Sequence, residues 1–243
     1  MKAAILAAGY ATRLYPLTLD KPKPLLNVNS KPIASYILER LIPLNLDKTY
    51  VVTNNKFFQL FKEWAFKQRI PVEVVNDGTN SNEDSLGAIG DIHFLIQNKN
   101  IEDDLLIIAG DNLFDFDISK FVDFFKQKKA TCIGMIDHKD KSKIAGKYGC
   151  VLIDKNNRII DFEEKPQKPK STMSATMIYA LKAEDLMELE NCLNHGKTFD
   201  NGGEFIRYLS ERKPVYGYLF NEKWFDIGSM EQLKAAEDYF TKK

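Results

Sequence analysis

A stiff, positively charged segment spans residues 9–32, directly after the first apolar run of the chain. The segment contains four cations, Arg13, Lys21, Lys23 and Lys31, and one carboxylate, Asp20. The excess is local, because acidic and basic side chains balance at 34 each over the whole chain. Four of the nine prolines also lie in the segment, and proline lowers the entropy cost of ordering a loop. The pattern favours binding of an anion such as a triphosphate.

Small residues lie just before this segment and at its start, namely Ala7, Ala8, Gly9 and Ala11. They let backbone amides approach phosphate oxygens closely. The segment has neither the spacing of a Walker loop nor that of a dinucleotide fingerprint. These local features alone leave open a solvated loop that binds no ligand.

Two aspartates follow apolar runs that are typical of strands. Asp111 ends the run at residues 105–110, and Asp226 follows Trp224 and Phe225. Because the carboxyl ends of parallel strands meet at one edge of a sheet, we expect the two carboxylates to lie close together. Mg²⁺ takes one or two carboxylates plus substrate phosphates. The pair is a candidate magnesium site, although each aspartate taken alone is more typical of a turn or a helix cap.

Elements that would position these residues alternate in the first half of the chain. Apolar runs without alternation predict buried parallel strands, at residues 3–8, 49–53, 72–75, 105–109 and 131–136. Helical periodicity separates them, at residues 32–44, 57–66, 86–96 and 119–127. The second half predicts a hairpin with an Asn-rich turn, further strands and three helices, at residues 150–163, 176–181, 215–220, 183–194, 204–211 and 230–239. We expect an α/β fold with a doubly wound, mostly parallel, Rossmann-like sheet and an antiparallel extension in a single domain.

Composition limits the cellular setting. The 243 residues suit one large α/β domain. Three widely spaced cysteines form no metal or redox motif, which favours buried free thiols in a reducing compartment. The first apolar run is too short to span a membrane and precedes no cleavage site. We expect a cytoplasmic protein, and the balanced charge favours neither nucleic acid nor a membrane as partner.

Several segments together resemble the sugar-1-phosphate nucleotidyltransferases. LAAGYATRLYPLTLDKPKPLL is similar to their signature GxGTRLxPLTxxxPKPL, with Ala11 where many members have glycine. AGDNLF resembles the metal-binding strand end of the family, FEEKP its EKP motif, and WFDIGSMEQLKAAE its WxDIGTPE segment. The likeness implies that residues 1–243 form a nucleotidyltransferase catalytic domain, similar to glucose-1-phosphate thymidylyl- and uridylyltransferases.

Residue roles follow from this resemblance. Arg13 would neutralise the β- and γ-phosphates, Lys23 the α-phosphate, and Asp111 and Asp226 would hold Mg²⁺ as cofactor. The nucleotide would contact Leu6, Ala7, Ala8, Gly9, Thr12, Arg13, Lys23, Leu86 and Gly87. On the sugar side, Glu164 would accept hydroxyl hydrogen bonds and Lys165 would hold the phosphate, beside Tyr148 and Gly149. The second pKa of a sugar phosphate is about 6, so the attacking oxygen is largely ionised near neutral pH and needs no general base. We expect direct displacement at the α-phosphate. His93, His138 and His195 neighbour no motif, so surface positions are expected for them.

Substrate identity stays open at this point. Residues 174–179 and 200–209 depart from the wording of the better-known hexose enzymes, and no residue before Leu86 aligns with a base-reading glutamine. Asn80, Asn82 and Ser85 suit either base recognition or a turn. dTTP or UTP with glucose 1-phosphate is favoured. A cytidylyltransferase for a phospho-alcohol and a non-catalytic nucleotide-sugar sensor are the alternatives, and the oligomeric state is left open, a homo-oligomer included.

Overall fold

The computed structural model describes residues 1–194 and 202–242. In chain order the strands are β1 (Lys2–Leu6), β2 (Asn27–Val28), β3 (Lys31–Pro32), β4 (Lys48–Thr53), β5 (Glu73–Asn76), β6 (Leu105–Ala109), β7 (Asn112–Phe114), β8 (Cys132–Asp137), β9 (Cys150–Ile153), β10 (Ile159–Glu163), β11 (Met173–Leu181), β12 (Tyr216–Phe220) and β13 (Trp224–Asp226). The α-helices are α1 (Ile33–Leu41), α2 (Phe58–Phe66), α3 (Gly87–Lys99), α4 (Ile118–Lys128), α5 (Met187–Asn194), α6 (Gly202–Ser210) and α7 (Met230–Thr241). No helix within the described residues is long and apolar enough to cross a membrane.

The chain divides into two compact units. The first unit comprises Met1–Leu86, Ile108–Phe116 and Glu222–Lys243, and the second comprises Gly87–Ile107 and Asp117–Asn221. The assignment of residues 1–243 to one catalytic domain therefore stays a prediction.

Parallel strands form the sheet of the first unit. β1 pairs in parallel with β4, and β4 with β5. Ala3, Ala4 and Ile5 on β1 are completely buried, as expected where helices cover both faces of a sheet. Two short antiparallel pairs, β2 with β3 and β7 with β13, complete this unit.

Antiparallel pairing dominates the second unit. β10 pairs with β9, β9 with β11, and β11 with β8, all antiparallel, and β12 joins β8 in parallel. The predicted hairpin turn is present, because Asp154 accepts hydrogen bonds from the backbone amides of Asn156 and Arg158. Between Ala175 and Tyr179 the register of β11 shifts, and Met177 there has a φ of 59°.

The predicted fold class is confirmed, with differences at the ends of elements. Residues 33–44 form α1 followed by a 3₁₀ turn, and Pro32 lies just before α1 as its N-cap residue. Residues 183–194 likewise divide into a 3₁₀ turn and α5. The expectation that Asp226 ends a strand of the main parallel sheet is wrong, because β13 belongs to the separate two-stranded pair with β7.

Candidate functional site

The two predicted metal ligands lie side by side in the first unit. β7 begins directly after Asp111 and pairs with β13, so that Asn112 lies opposite Asp226. The amide of Ile227 donates to the carbonyl of Asp111 at 3.1 Å. Antiparallel pairing of these short strands therefore brings together two carboxylates that are far apart in sequence. The predicted closeness is present, although its cause is a two-stranded ribbon and not a shared sheet edge.

Lys23 lies against this acidic pair. Its Nζ donates to Asp111 Oδ2 at 2.8 Å, with the two side chains 15% and 27% exposed. An ion pair so well shielded is less screened than one at the surface. Lys23 thus neutralises Asp111 and is not an isolated cation.

Burial and the neighbouring Asp111 raise the pKa of Asp226 to about 7. The positive charges of Lys23 and Arg13 act in the opposite direction, because an adjacent cation favours the ionised carboxyl. The two carboxyl groups lie within hydrogen-bonding reach of each other. A cation bound beside the pair would favour the ionised form of Asp226.

Gly110 explains how Lys23 reaches Asp111. A Cβ on Gly110 would lie 2.7 Å from the carbonyl oxygen of Leu6 and 2.8 Å from Cγ of Pro24. Its amide also donates to that Leu6 carbonyl at 2.8 Å. Only glycine allows the residues after β6 to approach both the end of β1 and the Lys23–Leu25 turn this closely.

The predicted phosphate segment begins on a fixed backbone. The Ala7 amide donates to Val52, and Asn54 donates to the Ala8 carbonyl at 2.7 Å. Gly9 is exposed, and a side chain there would point into open space. Sequence reasoning missed Asn54, whose polar side chain is completely buried after β4.

Arg13 and Thr12 lie on an exposed 3₁₀ turn, Thr12–Leu14. Ala11 caps this turn with a φ of 51° and accepts a hydrogen bond from the Thr18 hydroxyl at 2.8 Å. A left-handed conformation in a residue other than glycine costs of order 1–3 kcal/mol. Alanine at this position therefore carries a backbone cost that the rest of the turn must offset.

Internal hydrogen bonds hold the polar loop before Leu86. Thr79 donates through its amide and hydroxyl to Asp77, both at 2.8 Å. Asp84 accepts from the amides of Asn80 and Ser81, which lowers the pKa of Asp84. The Asn80 side chain bonds Gly78 and Asn55, so a turn role suits Asn80 better than base recognition.

Leu86 and Gly87 follow this loop at the junction of the two units. Leu86 is 38% exposed. Gly87 has a φ of 70° at the start of α3, a conformation that favours glycine. Their contact with a nucleotide stays a prediction.

The predicted sugar-phosphate residues gather in the second unit. Glu164 is mostly buried, and this burial raises the pKa of its carboxyl group, with Lys165 acting in the opposite direction. Lys165 has a φ of 46°, and its Nζ lies 3.6 Å from Glu164 Oε1. Gly149 lies close to the same carboxylate, since a Cβ there would be 3.1 Å from Glu164 Oε2. Buried acids of this kind suit ligands that donate hydrogen bonds.

His138 was expected at the surface, and that expectation is wrong. Its ring stacks on Tyr148 at 5.4 Å between centroids, and Nε2 lies 2.8 Å from the Ser174 hydroxyl. Burial, with Lys143 nearby, lowers the pKa of His138, so the neutral ring is favoured at pH 7. The spacing of ten residues between the two rings carries no periodic signal, which is why the sequence did not reveal the contact. His195, Asp200 and Asn201 lie outside the described residues.

Each unit therefore contains one of the two predicted sets of site residues. The first unit holds a carboxylate pair with Lys23 beside it and Arg13 near enough to lower the Asp226 pKa. Hard cations such as Mg²⁺ prefer oxygen ligands and usually keep several waters, and two carboxylates meet that need. The described residues contain no group of three or more His, Cys, Asp or Glu suited to a metal.

Comparison with known proteins shows to which family the chain belongs. The family model described as Nucleotidyl transferase matches residues 2–243. The chain is 28% identical over 240 residues to a UTP--glucose-1-phosphate uridylyltransferase of Synechocystis sp., covering 95% of this chain and 61% of that protein. It is 31% identical over 232 residues to a "Putative mannose-1-phosphate guanyltransferase" of Sulfolobus acidocaldarius, covering 94% and 60%.

A solved structure of UDP-glucose pyrophosphorylase complexed with UDP-glucose has a similar fold, with a TM-score of 0.84 at 20% identity, covering 100% of this chain and 99% of that one. The chain spans between 55% and 61% of the length of the curated relatives it matches.

Proposed function

Because the chain belongs to the nucleotidyl transferase family, we propose that it transfers a nucleoside monophosphate from a nucleoside triphosphate to a sugar 1-phosphate. The products would be pyrophosphate and a nucleoside diphosphate sugar. The observation that carries this proposal is the Lys23–Asp111–Asp226 cluster in the first unit. Such a cluster suits binding of a triphosphate together with a divalent cation.

On the nucleotide side, we assign charge neutralisation to the cations of the first unit. Phosphoryl transfer depends mainly on positioning two anions and on stabilising developing charge. Arg13, exposed on its 3₁₀ turn, is free to reach the outer phosphates, and Lys23 is assigned to the α-phosphate. Lys23 donates to Asp111, so it would exchange this partner for the α-phosphate.

We assign Mg²⁺ to Asp111 and Asp226. When bound, the ion would supply positive charge to the phosphates of the nucleotide. The chain's own part is to hold the two carboxylates adjacent through the β7–β13 pair and to release Lys23 from Asp111. The negative charge of Asp111 would thus be balanced first by the Lys23 ammonium group and then by the metal ion.

On the sugar side, we assign Glu164 to hydroxyl groups and Lys165 to the phosphate. Glu164 is buried and Lys165 is 44% exposed at 3.6 Å from it. A ligand carrying both hydroxyls and a phosphate can satisfy the two at once. The attacking oxygen belongs to the substrate and is largely ionised at neutral pH, so the chain needs no general base.

The relatives are named for different nucleotides and sugars, so the reaction is best tested with a panel of substrates. UTP or dTTP with glucose 1-phosphate remains the favoured pair, as the name of the Synechocystis relative also suggests. Pyrophosphate release would be measured for the four common ribonucleoside triphosphates and dTTP, each with glucose, mannose and N-acetylglucosamine 1-phosphates. Phosphocholine with CTP tests the cytidylyltransferase alternative. Turnover only with phosphocholine, or binding without turnover in every combination, would reject the proposed reaction.

Lys165→Ala is expected to weaken sugar 1-phosphate binding roughly ten- to a hundredfold while triphosphate affinity stays within about twofold. The reason is that a charge-assisted hydrogen bond contributes about 1.5–3 kcal/mol. Calorimetry with each substrate separately measures both effects. Lys168→Ala is the matched control, since it removes the same charge from an exposed position nearby. Loss of triphosphate affinity with normal sugar-phosphate affinity would show that the two assignments are reversed.

A further inference from the structure

The carboxylate of Glu164 occupies a space that two glycines leave open. A Cβ on Gly203 would overlap Glu164 Oε2, and it would lie 2.8 Å and 2.9 Å from ring carbons of Phe162. A Cβ on Gly149 would lie 3.1 Å from the same oxygen and 2.6 Å from the Phe162 ring. Both glycines and Phe162 are buried. The position of this oxygen therefore depends on the absence of side chains at both glycines.

We propose that Gly203 is a positioning residue for the sugar site, which acts by leaving free the volume that the Glu164 carboxylate occupies. This inference rests on the proposed assignment of Glu164 to the hydroxyl groups of a sugar 1-phosphate. Gly203 itself is not assigned a contact with substrate. Any side chain at position 203 would move the carboxylate away from the place where it meets those hydroxyls.

Local conformation does not explain glycine at position 203. It lies in the first turn of α6, and its φ is outside the left-handed region. Glycine in a helix is less stable than alanine by about 0.5–1 kcal/mol. Backbone geometry would thus permit alanine and helix propensity would favour it. What opposes alanine is the occupied space next to the Cα atom.

Neighbouring groups leave the carboxylate little room to adjust. At Gly149, the backbone carbonyl accepts a hydrogen bond from the amide of Ala175 at 2.9 Å, which fixes that backbone to β11. The Phe162 ring is 3% exposed and cannot move without opening a gap in the core. Glu204 also lies near enough to raise the pKa of Glu164, so its negative charge opposes a shift toward it. A displaced carboxylate would therefore move toward the exposed side, where Lys165 lies.

Gly202 provides a matched control in the same helical turn. A Cβ on Gly202 would overlap the Sδ and Cε atoms of Met177. These atoms are the end of a flexible, unbranched side chain that can choose another rotamer. Gly202→Ala therefore tests the effect of alanine at the start of α6 without touching Glu164.

Gly203→Ala is expected to raise the Kd for the sugar 1-phosphate selected by the panel about tenfold or more, as measured by calorimetry. The Kd for the triphosphate should change by less than about twofold, and so should both constants in Gly202→Ala. Unfolding followed by circular dichroism should show a folded state with a lower Tm for Gly203→Ala, because its Cβ also meets the buried Phe162 ring. Equal losses of sugar-phosphate affinity in the two glycine variants would overturn the inference, because a general disturbance of α6 would then explain them.

A double-mutant cycle with Glu164→Ala separates the two proposals, with the Tm of each variant measured alongside its affinity. If Gly203 acts through Glu164, the Glu164→Ala/Gly203→Ala variant should bind the sugar phosphate as Glu164→Ala does, because residues in contact are not additive. A further loss in the double variant would overturn the inference while leaving the assignment of Glu164 intact. Normal binding by Glu164→Ala would overturn both, since Glu164 would then not hold the sugar.

Discussion

Asp226→Asn is expected to lower kcat by about a hundredfold or more without loss of the folded state. Removing one of two carboxylates from a metal site weakens a source of charge stabilisation that contributes several kcal/mol. The fold should persist, because asparagine has the same shape and relieves the crowding of two acids at this position. Pyrophosphate release at increasing Mg²⁺ concentration measures the loss, and circular dichroism measures the fold.

Chelation provides the complementary experiment on the unmodified protein. EDTA should abolish turnover and added Mg²⁺ should restore it, because the acidic pair alone offers negative charge to an already anionic substrate. Asp238→Asn is the matched control, as it makes the same chemical change on the exposed face of α7. Full activity of Asp226→Asn, or turnover that persists in EDTA, would reject the metal assignment.

Arg13→Ala is expected to reduce kcat by about two orders of magnitude or more. A preorganised donor that stabilises charge in the transition state typically contributes this much. Arg13→Lys should recover only part of the rate, because lysine keeps the charge but lacks the planar fork of donors that fits a phosphate. Single-turnover measurements at saturating substrate isolate the chemical step from binding.

Arg69→Ala serves as the control for Arg13, since Arg69 is exposed in the same unit and belongs to neither predicted motif. It should leave the rate within about twofold of the parent. The same small change in Arg13→Ala would mean that the positive charge of residues 9–32 is a solvated surface. That was the alternative left open by the sequence features alone.

Apolar runs predicted the elements of the first half well because buried parallel strands need no alternation. β4 and β6 begin and end within one residue of the predicted positions. The pairing of β7 with β13 was beyond such reasoning, since each strand has only three residues and its partner is remote in the chain. Periodicity cannot identify strands this short.

Site residues divide in the same way. Lys23, Asp111 and Asp226 were selected by charge and by resemblance, and the structure brings them together in the first unit. Gly203 and His138 were not selected, because their importance lies in what is packed against them. The residues adjacent in sequence predict neither the contact of Gly203 with a carboxylate nor the contact of His138 with a ring. The left-handed φ of Ala11 was likewise hidden, since alanine is not a residue that signals that conformation.

The β7–β13 pair has a consequence for synthesis of the protein. Residues 117–221, which belong to the second unit, separate the two strands in the chain. A nascent polypeptide emerging from the ribosome therefore acquires its cationic segment and Asp111 early, and waits for the whole of the second unit before Asp226 is made. Pairing across so long an interval is slow to form, because loop closure must precede it. Translation that stops before Trp224 yields a product with half of its acidic pair, so such fragments are expected to be inert even where they fold.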